Sequence, residues 1–187
     1  MSKSNKKAFY GKHKPFILKN EGNILPIDEQ QIKQIAVIGK LARQDVHQRA
    51  PDCLTEDYAP ESIFQKLEKI WAEKINLTYT DGYLDSLQIN ETIMNEAQRA
   101  AYQAELVLVF VGFSPDSTEQ TAPSQPNRLP AAHAVLIDVV AQVNKNVVVI
   151  VRTTADLEMP WKNNVKAILR WEENIEEILP FLTKDEY

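Results

Sequence analysis

The sequence predicts an α/β fold, a three-layer α/β/α sandwich around a mostly parallel, open sheet of about five to six strands. Three short runs, at 35–38, 106–111 and 147–151, are rich in valine and isoleucine and apolar at successive positions. Such runs are typical of strands that helices cover on both faces. Segments with helical spacing of apolar residues lie between them, and this alternation favours right-handed crossovers between parallel strands.

The other elements have weaker or more local signals. Strand patterns of lower apolar content cover 76–80 and 167–171, and helical patterns cover 60–73, 90–104, 131–143 and 174–182. Pro60 suits the first turn of the first helix, and Asn90 suits the N-cap of the second. Pro180 is expected to interrupt the last helix.

Length and charge limit the function classes. The 187 residues suffice for one domain with a buried core, and the formal net charge of −5 argues against a nucleic-acid partner. No apolar stretch approaches the roughly 20 residues of a membrane span, so no membrane partner is expected. We predict a flexible basic tail at 1–14 and a single domain at 15–187. Because the N-terminus lacks the apolar stretch of a signal peptide, we expect a cytoplasmic location.

Neither a metal nor an organic cofactor is expected. The cysteine and histidine residues lack the spacing of metal ligands: Cys53, His13, His47 and His133. The segment 35–42 is a strand followed by a single glycine, Gly39, without the glycine spacing of a phosphate-binding loop. Gly39 is therefore interpreted as a turn at the end of a strand.

Two long loops, 40–59 and 113–128, leave the carboxyl ends of predicted strands, where ligands bind in such folds. The second loop carries Asp116 and Glu119. A carboxyl group that is partly buried against a substrate can act as a general acid, whereas a solvated polar loop is the alternative interpretation. Trp161 and Trp171 either present aromatic faces to a sugar or belong to the core.

Several segments resemble, in the same order, the C-terminal domain of glycoside hydrolase family 3. Residues 16–27, FILKNEGNILPI, are similar to its LLKNEGNLLPL segment, and residues 35–42, IAVIGKLA, are similar to its IAVIGPLA strand. Residues 105–112 resemble its DVVVVFVG strand, and 158–169 resemble EMPW followed by VKAIL. The resemblance covers about residues 15–171 and implies the same sandwich fold.

The resemblance also implies an activity. Members of the family are mostly β-glucosidases, β-xylosidases and related exo-acting enzymes, in which a (β/α) barrel supplies an aspartate nucleophile and this domain a glutamate acid/base. A retaining mechanism needs both carboxyl groups. Counting back from Leu129-Pro130 in the family's EGxDR…DLP loop places the glutamate on Gln120, and a gap of one residue places it on Glu119. We predict Glu119 as the acid/base. The predicted substrate contacts are Asp116, Gln120, Arg128 and Trp161.

The chain departs from the family pattern in its loops. Glycines of the family are missing at 49–54, 154–156 and 172–175, although loops that approach a sugar closely often use glycine. The chain also has no room for the barrel. These departures favour a domain that is not catalytic alone.

Three functions follow as alternatives, and whether the chain is an enzyme stays open at this point. The first is an isolated C-terminal-type domain of carbohydrate metabolism without catalysis of its own. The second is a subunit that supplies the acid/base to a separate barrel-type chain in the hydrolysis of β-glycosides. The third is a binding or regulatory module for a ligand other than a sugar. The corresponding partners are a barrel-type glycosidase chain or a carbohydrate.

Overall fold

A six-stranded sheet forms the middle layer of the computed structural model, which describes residues 14–43, 61–84, 88–113, 127–172 and 174–184. Its strands are β1 (Phe16–Asn20), β2 (Gln34–Ile38), β3 (Asn76–Thr80), β4 (Leu106–Gly112), β5 (Val147–Arg152) and β6 (Ala167–Trp171). The strand order is β1-β6-β5-β4-β2-β3. Strands β2 to β6 run parallel, and β1 pairs antiparallel with β6 at one edge.

Helices cover both faces of this sheet. They are α1 (Ile63–Trp71), α2 (Glu91–Gln103), α3 (Ala131–Val143) and α4 (Leu179–Leu182). One core joins α1, α4 and the 3₁₀ turn Ile175–Ile178 to one face of the sheet, and a second core joins α2 and α3 to the other face. The predicted fold class, a three-layer sandwich with a mostly parallel sheet, is confirmed.

Strand β4 explains why both cores exist. Its side chains alternate between them, with Leu106, Leu108 and Phe110 in the α1 core and the intervening valines in the α2–α3 core. Every residue of β4 is buried. Successive side chains of a strand point to opposite faces, so a strand that is apolar at every position needs a helix layer on each side.

Two elements differ from their predictions in kind. Strand β1 is not among the predicted strands, since Phe16, Ile17 and Leu18 of this edge strand are 40%, 37% and 38% exposed and give no buried apolar run. The predicted helix 174–182 is instead a 3₁₀ turn followed by the short α4, which has Pro180 in its first turn.

Helix α1 begins later than predicted because a capping box fixes its start. Ser62 Oγ accepts a hydrogen bond from the backbone N–H of Gln65 at 3.3 Å, and Gln65 Oε1 accepts one from the Ser62 N–H at 2.9 Å. Pro60, the predicted first-turn residue, lies outside the described residues, as does most of the predicted tail at 1–14.

The strand order reverses direction between β2 and β4. Helix α1 connects β2 to its neighbour β3, and α2 returns the chain past β2 to β4. The carboxyl ends of β2 and β4 therefore form the switch point, where open α/β sheets usually bind ligands. Gly39 follows β2 there with a φ of +121°, and a Cβ atom at this residue would lie 2.1 Å from the Phe110 carbonyl oxygen.

We predict that Gly39→Ala destabilises the fold by at least about 3 kcal/mol, because the methyl group collides with the backbone of β4 and the φ angle is unfavourable for alanine. Gly22→Ala is the matched control, since Gly22 also has a positive φ, +70°, but nothing lies within 4 Å of an added Cβ. It should cost only about 1 kcal/mol. Urea unfolding followed by tryptophan fluorescence measures both, and equal losses would contradict the steric argument.

Candidate functional site

The carboxyl ends of the parallel strands form the candidate site. Because these strands all point the same way, the residues that follow them lie along one edge of the sheet. In the described part of the chain they include Lys40 after β2, Asp81 after β3, Phe113 after β4, Thr153 after β5 and Glu172 after β6.

Tyr83 fills the middle of this edge. Its side chain is only 6% exposed, and its hydroxyl donates a hydrogen bond to the Phe110 carbonyl at 3.3 Å. The same hydroxyl accepts a long hydrogen bond from the Leu41 N–H at 3.4 Å. Burial raises the pKa of Tyr83, so the phenol stays protonated. The switch point, which would be a ligand crevice in a related fold, is thus occupied by a side chain of the protein.

His133 packs against Tyr83 from the first turn of α3, with 4.1 Å between the ring centroids. Its Nδ1 accepts a hydrogen bond from the Gly112 N–H at 3.3 Å, which places the proton of the neutral ring on Nε2. His133 is 2% exposed, and burial lowers its pKa from 6.5 to about 4. Neutral His133 therefore links the end of β4 to the start of α3. These are the two ends of the β4–α3 loop.

Hydrogen bonds to Glu158 hold the end of the β4–α3 loop that precedes α3. Glu158 accepts hydrogen bonds from Arg128 Nε at 2.6 Å and from Asn127 Nδ2 at 2.8 Å, and its N–H donates to the Asn127 carbonyl at 2.7 Å. Arg128 holds the pKa of the Glu158 carboxyl below its usual range. At the other end of the loop, the Phe113 N–H donates to the Arg152 carbonyl at 3.1 Å. Both ends of the β4–α3 loop are thus fixed to β5 and the segment after it.

Arg170 organises the ends of β5 and β6. Its Nε donates to the Thr153 carbonyl at 3.2 Å, and its Nη2 lies 3.0 Å from Glu172 Oε1. The Arg170 and Glu172 side chains are 12% and 8% exposed, and the more exposed Asp156 lies 3.4 Å from Arg170 Nη1. Arg152 Nε also donates to the Glu172 carbonyl at 3.1 Å. Arg170 and Glu172 are thus paired with each other in a poorly exposed position, whereas Asp156 is open to solvent.

At the opposite end of the edge, Arg43 lies over the ring of Tyr79, with 3.7 Å from its guanidinium carbon to the ring centroid. Tyr79 donates its hydroxyl proton to Asp81 Oδ1 at 2.7 Å. These three side chains line a groove of about 470 Å³ between β3 and α2. The stacking holds Arg43 in place beside the end of β3.

The predicted site residues divide into two groups. Glu119, Asp116 and Gln120 fall in 114–126, outside the described residues. Arg128 lies at the carboxyl edge as an exposed side chain, ion-paired with Glu158.

Trp161, the other predicted substrate contact, is 2% exposed and belongs to the α2–α3 core. Trp171 is also 2% exposed but belongs to the opposite core. The two rings lie on different faces of the sheet and do not form one sugar-stacking surface. Trp161 offers no open face to a sugar, because the packing of the core already covers its ring.

Within the described ranges, no group of three or more His, Cys, Asp or Glu side chains is arranged to hold a metal ion. None of the helices in those ranges has the length and apolar character needed to cross a membrane.

The sequence matches a known protein family over this sheet. The model of the glycosyl hydrolase family 3 C-terminal domain matches residues 16–172, from the first residue of β1 to the residue after β6. The chain belongs to this family. The matched segment contains the whole sheet and the carboxyl edge described above.

Relatives of the family 3 domain include larger glycosidases. Thermostable β-glucosidase B of Acetivibrio thermocellus is 31% identical over 161 residues, which cover 82% of this chain and 20% of that protein. The crystal structure of a GH3 β-glucosidase from Bifidobacterium adolescentis shares 30% identity with a TM-score of 0.62, over 84% of this chain and 23% of that one. The chain thus spans about a fifth of the length of these relatives.

A third similarity concerns the fold alone. The β-D-glucoside glucohydrolase of Trichoderma reesei has 18% identity and a TM-score of 0.64, over 85% of this chain and 25% of that one. The sandwich of this family 3 domain is therefore retained at low sequence identity.

Sequence reasoning missed the contacts that shape the described edge. In the sequence, Glu158 stands out only as part of the segment that resembles EMPW. An acidic residue shortly after a predicted strand is, however, a signal for a contact at this edge of the sheet. His133 stands in the first turn of a strongly apolar helix, which is the available signal for a buried histidine at the end of β4. Tyr83 has no signal of this kind.

We predict that His133 makes the stability of the domain depend on pH. The unfolded chain takes up a proton near pH 6.5, whereas the folded domain resists protonation of His133 until about pH 4. The contribution of neutral His133 to the free energy of unfolding is complete above pH 6.5 and is lost as the pH falls toward 4. Between pH 7.5 and pH 5.0 the loss should be about 2 kcal/mol.

His133→Asn is the matched variant, because its Oδ1 can accept the Gly112 N–H but does not titrate. Urea unfolding at the two pH values measures the free energy of unfolding of both proteins. Between these pH values the wild type should lose about 2 kcal/mol more of its free energy of unfolding than the variant. Equal losses in both proteins would contradict the assignment of the pH dependence to His133.

Proposed function

We propose that the chain forms the sandwich domain of a β-glucosidase-like glycosidase and has no glycosidase activity by itself. The proposal is supported by the family assignment together with one observation on the carboxyl edge. Three carboxylates that follow β3, β5 and β6 in the described residues have close partners that favour a structural role: Asp81, Glu158 and Glu172.

Glycoside hydrolysis needs a different arrangement of carboxyl groups. Two carboxyls flank the scissile bond, roughly 5–5.5 Å apart in retaining enzymes and about 6.5–9.5 Å apart in inverting ones. The general acid must keep its proton near neutral pH, which requires a raised pKa. Glu158 has the opposite environment, because Arg128 lowers its pKa. Glu172 is held by Arg170, an ion pair with little exposure on either side.

In this proposal the described edge is a rigid support for a sugar site rather than the site of bond cleavage. Tyr83 and His133 close the switch point, and the contacts at Phe113 and Asn127 fix both ends of the β4–α3 loop. Rigid elements position binding groups more accurately than free loops do. The sugar contacts would come from this loop, with Arg128 beside it.

We expect the purified chain not to hydrolyse 4-nitrophenyl β-D-glucopyranoside or the β-xyloside above the rate in buffer, because no catalytic pair is completed. Release of nitrophenol at 400 nm, at about neutral pH, is the measurement. Hydrolysis that Glu119→Gln abolishes and Asp116→Asn retains would overturn the proposal, since these variants remove the same charge from the same loop.

A second candidate function is supported by the fixed ends of the β4–α3 loop. Phe113 and Asn127 anchor the ends of this loop, and the family resemblance assigns the acid/base to Glu119 within it. The chain would then supply the acid/base to a separate barrel-type glycosidase chain that carries the nucleophile.

For this second function we expect that mixing the chain with a family 3 barrel chain restores hydrolysis of the aryl β-glucoside. The Glu119→Gln variant should bind the barrel chain equally well but restore little activity, and Asp116→Asn serves as the charge-matched control. Activity that is independent of Glu119, or no activity in a complex that forms, would count against the role of Glu119.

A further inference from the structure

A groove of about 670 Å³ lies at the edge of the sheet opposite the candidate site. Lys145 and Lys166, which line it, shortly precede β5 and β6, so the groove is at the amino ends of these strands. Strand β5 has six residues and separates the two edges by about 20 Å. The volume is within the range of sites for small ligands, about 300–1,000 Å³.

Fixed contacts form one wall of the groove. The Lys19 ammonium donates to the Lys162 carbonyl at 3.0 Å and to the Val165 carbonyl at 2.6 Å, which anchors the 3₁₀ turn Pro160–Asn164. Lys166 Nζ lies 3.0 Å from Glu21 Oε1. The last turns of α3 form the other wall, with the nearly buried Ala141 at its base. The groove is therefore preformed.

Three side-chain amides line the groove: Gln142, Asn163 and Asn164. All three are exposed, and none forms a hydrogen bond with another of the described residues. An amide offers both donors and an acceptor, which suits hydroxyl groups that also donate and accept. Their convergence on one groove gives a surface that can bind several hydroxyls of one ligand.

The charges of the groove select the ligand class. Lys145 and Lys166 are balanced by Glu21 and Asp138, so the lining has no net charge. An anionic ligand would meet two carboxylates and a cationic ligand two ammonium groups. Ala141 and Val165 are 5% and 2% exposed, so they form the floor of the groove beneath the polar side chains.

We propose that this groove binds a neutral oligosaccharide at a second site, separate from the carboxyl edge. The proposal goes beyond the proposed function and does not depend on it, because binding here requires neither Glu119 nor a barrel-type chain. The site would hold a carbohydrate chain at the amino ends of β5 and β6, on the far side of the domain from the carboxyl edge.

Titration of the ¹⁵N-labelled full chain with cellotetraose, xylotetraose and maltotetraose tests the proposal by NMR. At least one of these neutral probes should shift the side-chain NH₂ signals of Gln142, Asn163 and Asn164 in a saturable way. Gln142→Ala and Asn163→Ala should each weaken that binding by about tenfold. Both residues are exposed, so the fold should tolerate the changes.

Gln88→Ala is the control, since Gln88 is an exposed amide outside the groove and its loss should leave binding unchanged. Absence of saturable shifts with all three probes would overturn the proposal, as would shifts confined to residues of the carboxyl edge. Tetragalacturonate, an anionic probe, should bind more weakly than the best neutral probe, and preferential binding of it would overturn the assignment to neutral ligands.

Discussion

Burial of both faces of the central strands is the constraint on which the rest of this domain depends. Strands β4 and β5 contribute apolar side chains to two separate cores, and each core needs its own helix layer. Parallel strands also need crossovers, so the chain must pass from one edge of the sheet to the other between strands. The loops at the carboxyl edge and the groove at the amino edge both result from these crossovers.

The carboxyl edge is closed at its centre by packed side chains. Tyr83 and His133 use the switch point for packing, and their hydrogen bonds satisfy backbone groups beside β2 and in β4. The sandwich fold itself persists at 18% identity, as in the Trichoderma reesei structure.

The buried strands are predictable from the sequence because each has a continuous apolar run, as in 106–111 and 147–151. Strand β1 is not, because its pairing with β6 depends on a distant segment rather than on its own pattern. The start of α1 is fixed by the reciprocal bonds of Ser62 and Gln65, which the position of Pro60 in the sequence does not indicate. At the site, the pairing of Arg128 with Glu158 joins two loops 30 residues apart, and residue spacing does not encode such a contact.

The position of β1 also affects the order in which the domain can form. Its partner β6 lies roughly 150 residues later in the chain, so this pairing is among the most non-local contacts of the sheet. During synthesis the apolar residues Phe16, Ile17 and Leu18 have no strand partner until β6 has emerged from the ribosome. Strands β2 to β5 can assemble before that, whereas β1 can join the sheet only once β6 is present. A chaperone that binds short apolar segments would find its target at this strand.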